Sequence, residues 1–250
     1  MSPRQNRVTP TGEIVAIPLH GGWMGNRGIL HDDAGHVVRN HASSLWITCA
    51  LSFRGWRAFQ WQPHHYTVLF FHDEAVSLAA GHRPCALCRR EDYDAYRDAL
   101  AEHDHAKRLS AKEIDTRLHA ERLVPRTRTR RLHEMRWADV PAGAFVMLDD
   151  APHLVSAERL VRWTTEGYAE PRERPGQGTA AVLTPPASVA ALRAGYAPQV
   201  ADLREDLRPK PRGSPRHSSG QTDRPSRRPG PSRRTVRPEG LIRFTARRYH

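Results

Sequence analysis

Phe70-Phe-His-Asp-Glu-Ala-Val-Ser-Leu-Ala-Ala-Gly-His-Arg-Pro-Cys85-Ala-Leu-Cys88-Arg-Arg90 holds a strand end, a short helix, a stop and a metal-type turn in one continuous run. Tyr66 to Phe71 is β-branched and aromatic, which is the strand signal. Asp73 then supplies an N-cap oxygen for a short helix through Ala80, and Gly81 stands where a left-handed residue closes it. Two cysteines separated by two residues, on a turn entering the next helix, set both sulfurs on one side of a tight knuckle within reach of one tetrahedral ion. The N–H groups of a helix start and the cations Arg83, Arg89 and Arg90 favour the thiolate that a metal needs. Spacing alone leaves three readings open: a metal pair, a redox pair, or two small buried residues.

Working outward, Leu45 to Leu51 reads as a second buried strand, and Gly28 to Val38 as a hairpin turning at Asp32, Asp33 and Gly35. After the knuckle a helix is expected from about Arg89 to Glu102, with Tyr93, Tyr96 and Leu100 on one face. Ser110-Ala-Lys-Glu113 fits a capping box, so another helix begins there and ends near Leu123, before Pro125. Ala144–Leu148, His153–Ser156 and Arg159–Trp163 form a β-meander, turning at Asp149-Asp150-Ala151-Pro152 and at Ala157-Glu158. A loop over Glu170 to Gly178 leads to Ala181-Val-Leu and a last helix from about Ala187 to Ala194, stopped at Gly195. The expected fold is α+β: one domain over residues 1–206, with a metal-knuckle part at about 45–123, central helices and a β-rich part at about 137–196.

Composition bounds the rest. The 250 residues carry a formal net charge of +12, but the stretch from Leu207 to His250 holds 13 arginines and lysines against two acidic residues, so +11 belongs to it and +1 to residues 1–206. Seven of the 20 prolines also fall there, and a disordered basic tail is expected. Bulk charge therefore does not make the folded part a nucleic-acid binder. No run approaches the ~18 apolar residues of a membrane span. Met1 to Thr11 lacks the apolar core of a signal peptide, so a cytoplasmic location and no membrane partner are expected. Three cysteines, an odd number, argue against a disulfide framework.

The run Ala79-Ala-Gly-His-Arg-Pro-Cys-Ala-Leu-Cys-Arg-Arg, preceded by Phe70-Phe and an Ala-rich helix, resembles the second half of the zinc-binding domain of Ada-type DNA methylphosphotriester repair proteins. The direct likeness spans about residues 66–90. The resemblance implies zinc as cofactor, Cys85 and Cys88 as two of its ligands, and Cys49 in the place of the family's first cysteine, both ligand and methyl acceptor there. The chain departs from the pattern where the family's second upstream cysteine falls near Phe53, which cannot ligate, and the spacing between the ligand halves is longer. Over Trp46 to Tyr196 the chain is also similar to uncharacterised bacterial proteins, which implies no activity.

A fourth ligand is then needed, and Cys₃His is a common structural set. Thirteen histidines precede the basic tail; His119 is the leading candidate, since Asp115 and Arg122 lie about one turn to either side of it on a capped helix. His82, His72 and His65 follow. The function expected from these signs is zinc binding, mainly structural, with DNA as partner and a role in DNA damage response; Arg83, Arg89 and Arg90 would touch phosphates. A second basic cluster, Thr127 to Arg131, would extend such a patch if it shared their face. Two alternatives stand beside this. One is a metal-dependent hydrolase or nuclease using Asp115, His119 and Glu121, residue types suited to metal-assisted or acid–base work. The other is a zinc-stapled interaction protein without nucleic-acid binding.

Overall fold

A computed structural model describes residues 2–203 except Arg57, Arg126, Arg128 and Asp202. Contacts divide the chain into Met1–Arg212 and Gly213–His250, so the tail expected from residue 207 lies outside the described residues. The fold is α+β, with two six-stranded sheets and four α-helices among the described residues. No helix there is long and apolar enough to cross a membrane.

The first sheet is built from β1 (Arg7–Val8), β2 (Ile14–Val15), β3 (Trp23–Asn26), β4 (Ile47–Cys49), β5 (Leu69–Phe71) and β6 (Arg83–Pro84), in the order β2-β1-β5-β3-β4-β6. Between β5 and β6 lies α1 (Glu74–Ala79). Asp73 caps it by accepting the Val76 N–H at 2.8 Å. Its end is a Schellman stop: the Gly81 N–H donates to Leu78 O and the His82 N–H to Ser77 O, both at 2.9 Å. Gly81 has φ +87°, and a Cβ there would lie 2.7 Å from Arg122 Cδ, so both conformation and space require glycine.

α2 (Arg90–His103) and α3 (Ala111–Arg122) follow, the latter opened by the expected capping box between Ser110 and Glu113. The second sheet comprises β7 (His133–Arg136), β8 (Phe145–Leu148), β9 (Ala151–Ser156), β10 (Arg159–Thr164), β11 (Gly167–Glu173) and β12 (Thr179–Val182), ordered β11-β10-β9-β8-β12-β7. Asp149 and Asp150, both with positive φ, form the two-residue turn between β8 and β9. The last helix, α4, spans Pro186–Arg193.

Strand alternation explains how this sheet serves two cores. Val146, Val155 and Leu160 pack with Tyr96 and Leu100 of α2, Leu118 of α3 and Leu192 of α4. Their neighbours Phe145, Leu154 and Val161 turn the other way, toward Leu69 and Phe71 of the first sheet and Val76 of α1. Burial on both faces gives the continuous apolar runs that made these strands visible in sequence.

Several boundaries differ from expectation. The strands sought at Leu45–Leu51 and Tyr66–Phe71 shrink to β4 and β5, each of which has a partner of only two residues, β6 for β4 and β1 for β5. Gly28 to Val38 keeps a single bridge, His31 to Val37, around an Asp32 turn whose Oδ1 accepts from Ala34 and His36. The loop expected over Glu170 to Gly178 is strand as far as Glu173. Pro171 is tolerated because β11 is an edge strand, where its missing N–H breaks no ladder bond.

Candidate metal centre

β4 and β6 run parallel, Ile47 opposite Arg83 and Thr48 opposite Pro84, and the Cys85 N–H donates to Thr48 O at 2.9 Å. One residue beyond this pairing, Cys49 and Cys85 fall side by side. The turn through Ala86 and Leu87 then bends Cys88 back toward them. All three Sγ atoms lie within 4.8 Å of one another. Thiolates bound at about 2.3 Å to a tetrahedral ion stand about 3.8 Å apart, so small side-chain adjustments bring the trio to ligand geometry. The three sulfurs that the sequence singled out are thus one group.

The surroundings favour thiolate. Cys85 Sγ accepts the Leu87 N–H at 3.5 Å, and the Cys88 N–H also points at it, while the Ala50 N–H serves Cys88. Hydrogen bonds from the Cys49 and Cys88 thiols hold Cys85 far below the usual thiol range. Cys49 is pushed up by the reciprocal bonds to Cys85 and Cys88 and by burial. Cys88 also rises: its bond with Cys49 opposes this, but the bond with Cys85 and burial outweigh it. Hydrogen bonding thus favours a thiolate at Cys85, and a soft divalent cation would draw the other two thiols toward thiolate as well. Three soft donors with amide N–H groups aimed at sulfur fit zinc. The Tyr66 phenol is raised by burial and then by the charges of Cys49, Cys88 and Cys85.

Among the described residues no histidine or carboxylate joins the three sulfurs within that 4.8 Å. His119 stands outside the group: its Nδ1 accepts from Arg122 Nη2 at 3.0 Å and its ring meets His41 edge-on at 5.5 Å. His82 is wholly buried, with Nε2 accepting from Arg27 Nε at 3.1 Å. Burial and the charges of Arg27, Arg122 and Arg130 press its imidazole well below its usual range, so it stays neutral.

The hydrolytic trio does not converge. Asp115 is clasped by Arg83 through two 2.8 Å bonds. Glu121 places Oε1 on Arg117 at 3.0 Å, while its Oε2 accepts the Ala187 N–H at 2.7 Å. It thereby caps α4, whose own N-cap Pro185 has no side-chain acceptor. The three side chains point to three different structural tasks.

Two of the three arginines expected to touch phosphates are also committed inside the protein. Arg83 is 2% exposed and bound to Asp115. Arg89 is 4% exposed, bound to Glu74 at 2.8 Å and Asp92 at 2.8 Å, and stacked 3.9 Å over Trp23. Only Arg90 is exposed, paired with Asp94 at 2.6 Å. The first two are struts that tie the knuckle to α3, α1 and α2.

No protein-family model, curated protein or solved structure matches the chain. Sequence reasoning missed the amide of Ala50, which carries no signal because a backbone N–H is common to nearly every residue.

Proposed function

We propose that the chain is a zinc-binding protein in which Cys49, Cys85 and Cys88 hold one ion whose main work is structural: locking the junction of β4, β6 and α2. The observation that carries this is the convergence of all three cysteines, from two separate segments, within 4.8 Å. Zinc would supply a fixed tetrahedral cross-link and neutralise thiolates that otherwise repel. The fourth position goes to solvent or to Tyr66. The Ada-type resemblance agrees with this ligand set. Of the three arginines expected to touch phosphates, DNA association is left with Arg90, since Arg83 and Arg89 serve internal carboxylates.

Metal analysis and thermal unfolding of the full-length chain, purified without a histidine tag, test the proposal. About one zinc per chain is expected, with a large fall in melting temperature on chelation. Structural zinc contributes on the order of 10 kcal/mol in small domains, so Cys85→Ser should abolish folding rather than trim activity. A metal-free chain that melts cooperatively, unaffected by chelator or by Cys85→Ser, refutes it.

A further inference from the structure

Three arginines that bond no carboxylate among the described residues gather around Trp46, and Asp115 reaches one of them, Arg122, through its charge alone. Arg27 lies 4.1 Å over the indole ring and Arg122 lies 3.9 Å from it. Both are 0% exposed. Arg130 belongs to the same group: its charge depresses both Arg27 and Arg122. Among the described residues no carboxylate oxygen lies within 4.0 Å of any of the three guanidinium groups.

Their bonds go to backbone carbonyls instead. Arg27 Nη1 reaches Gly12 O at 3.0 Å, and Arg122 bonds Gly81 O at 2.8 Å and Ser44 O at 2.6 Å. Arg130 gathers Ala79 O, Leu183 O at 3.0 Å and Arg122 O at 3.1 Å. Several of these carbonyls end α1 and α3, where the helix dipole favours a cation. Carbonyls answer hydrogen bonding but bring no net charge. Arg27 Nη2, Arg122 Nε and Arg130 Nε are still left buried and unpartnered. Burying charge in this way is costly unless a counter-charge arrives.

There is room for one beside them. A cavity of about 320 Å³ is walled by Arg27, Arg130, Trp46, Leu123, Met147 and Leu183. That size is at the lower end of small-molecule sites, and it joins cationic to apolar surface, the pattern that orients an amphipathic ligand. The single acidic residue on the wall, Glu13, is exposed.

We propose that this cavity binds a small organic phosphate, its dianionic head answering the guanidinium cluster and its organic body lying against the apolar wall. A phosphate suits the site better than a carboxylate because one dianion balances both cations on the wall, Arg27 and Arg130. Guanidinium N–H groups also match phosphate oxygens in geometry.

The test is calorimetric titration of the full-length chain with phenyl phosphate, with phenol as the neutral control. One saturable site for phenyl phosphate and none for phenol is expected. Arg130→Gln should weaken binding at least about tenfold, since truncating one partner of a buried charge contact has effects of that order or larger. Glu13→Gln, an exposed change that leaves the carbonyl contacts intact, should tighten it by roughly two- to fivefold through loss of a repulsive charge. Should Arg130→Gln fail to fold, Glu13→Gln decides alone: tightening upholds the site and an unchanged affinity overturns it. No saturable binding by the folded chain, or binding that neither variant alters, also overturns it; the latter would place the anion elsewhere, such as on the basic stretch after residue 207.

Discussion

Two groups of arginine, buried except for the partly exposed Arg130, sit within one fold and are treated in opposite ways. At the knuckle, Arg83 and Arg89 each meet carboxylates at 2.8 Å, from Asp115 and from Glu74 and Asp92. Around Trp46, Arg27, Arg122 and Arg130 meet carbonyls, an imidazole and an aromatic face; among the described residues no carboxylate bonds any of them, and Asp115 acts on Arg122 only through its charge. The first arrangement is complete in itself and so behaves as scaffold. The second is electrostatically open, with burial lowering Arg27 well below the usual arginine range and Arg122 to about 9. A buried cation already paired with an acid is a strut, whereas one left unpaired is the place to look for a ligand.

The contrast can be broken from either side. The largest effect is expected from Arg83→Ala, which strands Asp115 as a buried charge; breaking such a pair typically costs about 3–5 kcal/mol. Urea unfolding should show that loss, and Arg83→Met combined with Asp115→Leu should recover most of it. If the single and double variants unfold alike, the pair is not a strut.

A smaller effect concerns His82, held neutral between Phe71 and Trp46 beside Arg27. Its folded pKa lies below the unfolded value near 6.5, so the unfolded chain binds the extra proton first. Its contribution is fully present above that pH and is lost as pH falls through it, at up to on the order of 1 kcal/mol per pH unit. Acid would also release an ion held by the proposed metal centre by protonating its thiolates, in the wild type and in a variant alike. His82→Gln should therefore show a shallower loss of stability between pH 6.5 and 5 than wild type, measured by denaturant midpoint; equal slopes would contradict the burial argument. The smallest effect is at Arg90, whose exposed pair with Asp94 leaves the melting temperature unchanged when Arg90→Ala is made.

What the sequence disclosed follows the range of the interactions. The Asp73 cap, the Gly81 stop and the Ser110–Glu113 capping box are all settled within a few residues, and each stands where the sequence put it; the turn expected over Asp149 to Pro152 narrows to Asp149-Asp150, because Ala151 and Pro152 pair with β8. Cys85 and Cys88 are paired locally as well. Cys49 joins them only through the parallel register of β4 with β6, which no local pattern encodes. His119 shows the converse error: its helix was legible, but the face it presents to Arg122 and His41 depends on how α3 packs. Arg83 and Arg89 looked like phosphate contacts because a buried arginine and an exposed one are written with the same letter. The carboxylates that neutralise Arg83 and the inner side of Arg89 come from α3 and α1. Arg130, within the second basic cluster, turned inward for the same long-range reason.

The claim on which the rest depends is that the three thiols form one metal centre. Zinc-edge X-ray absorption of the full-length chain addresses it directly. Three sulfurs at about 2.3 Å and one oxygen or nitrogen at about 2.0–2.2 Å are predicted. A folded chain without zinc, or zinc bound with no sulfur in its shell, would contradict the account.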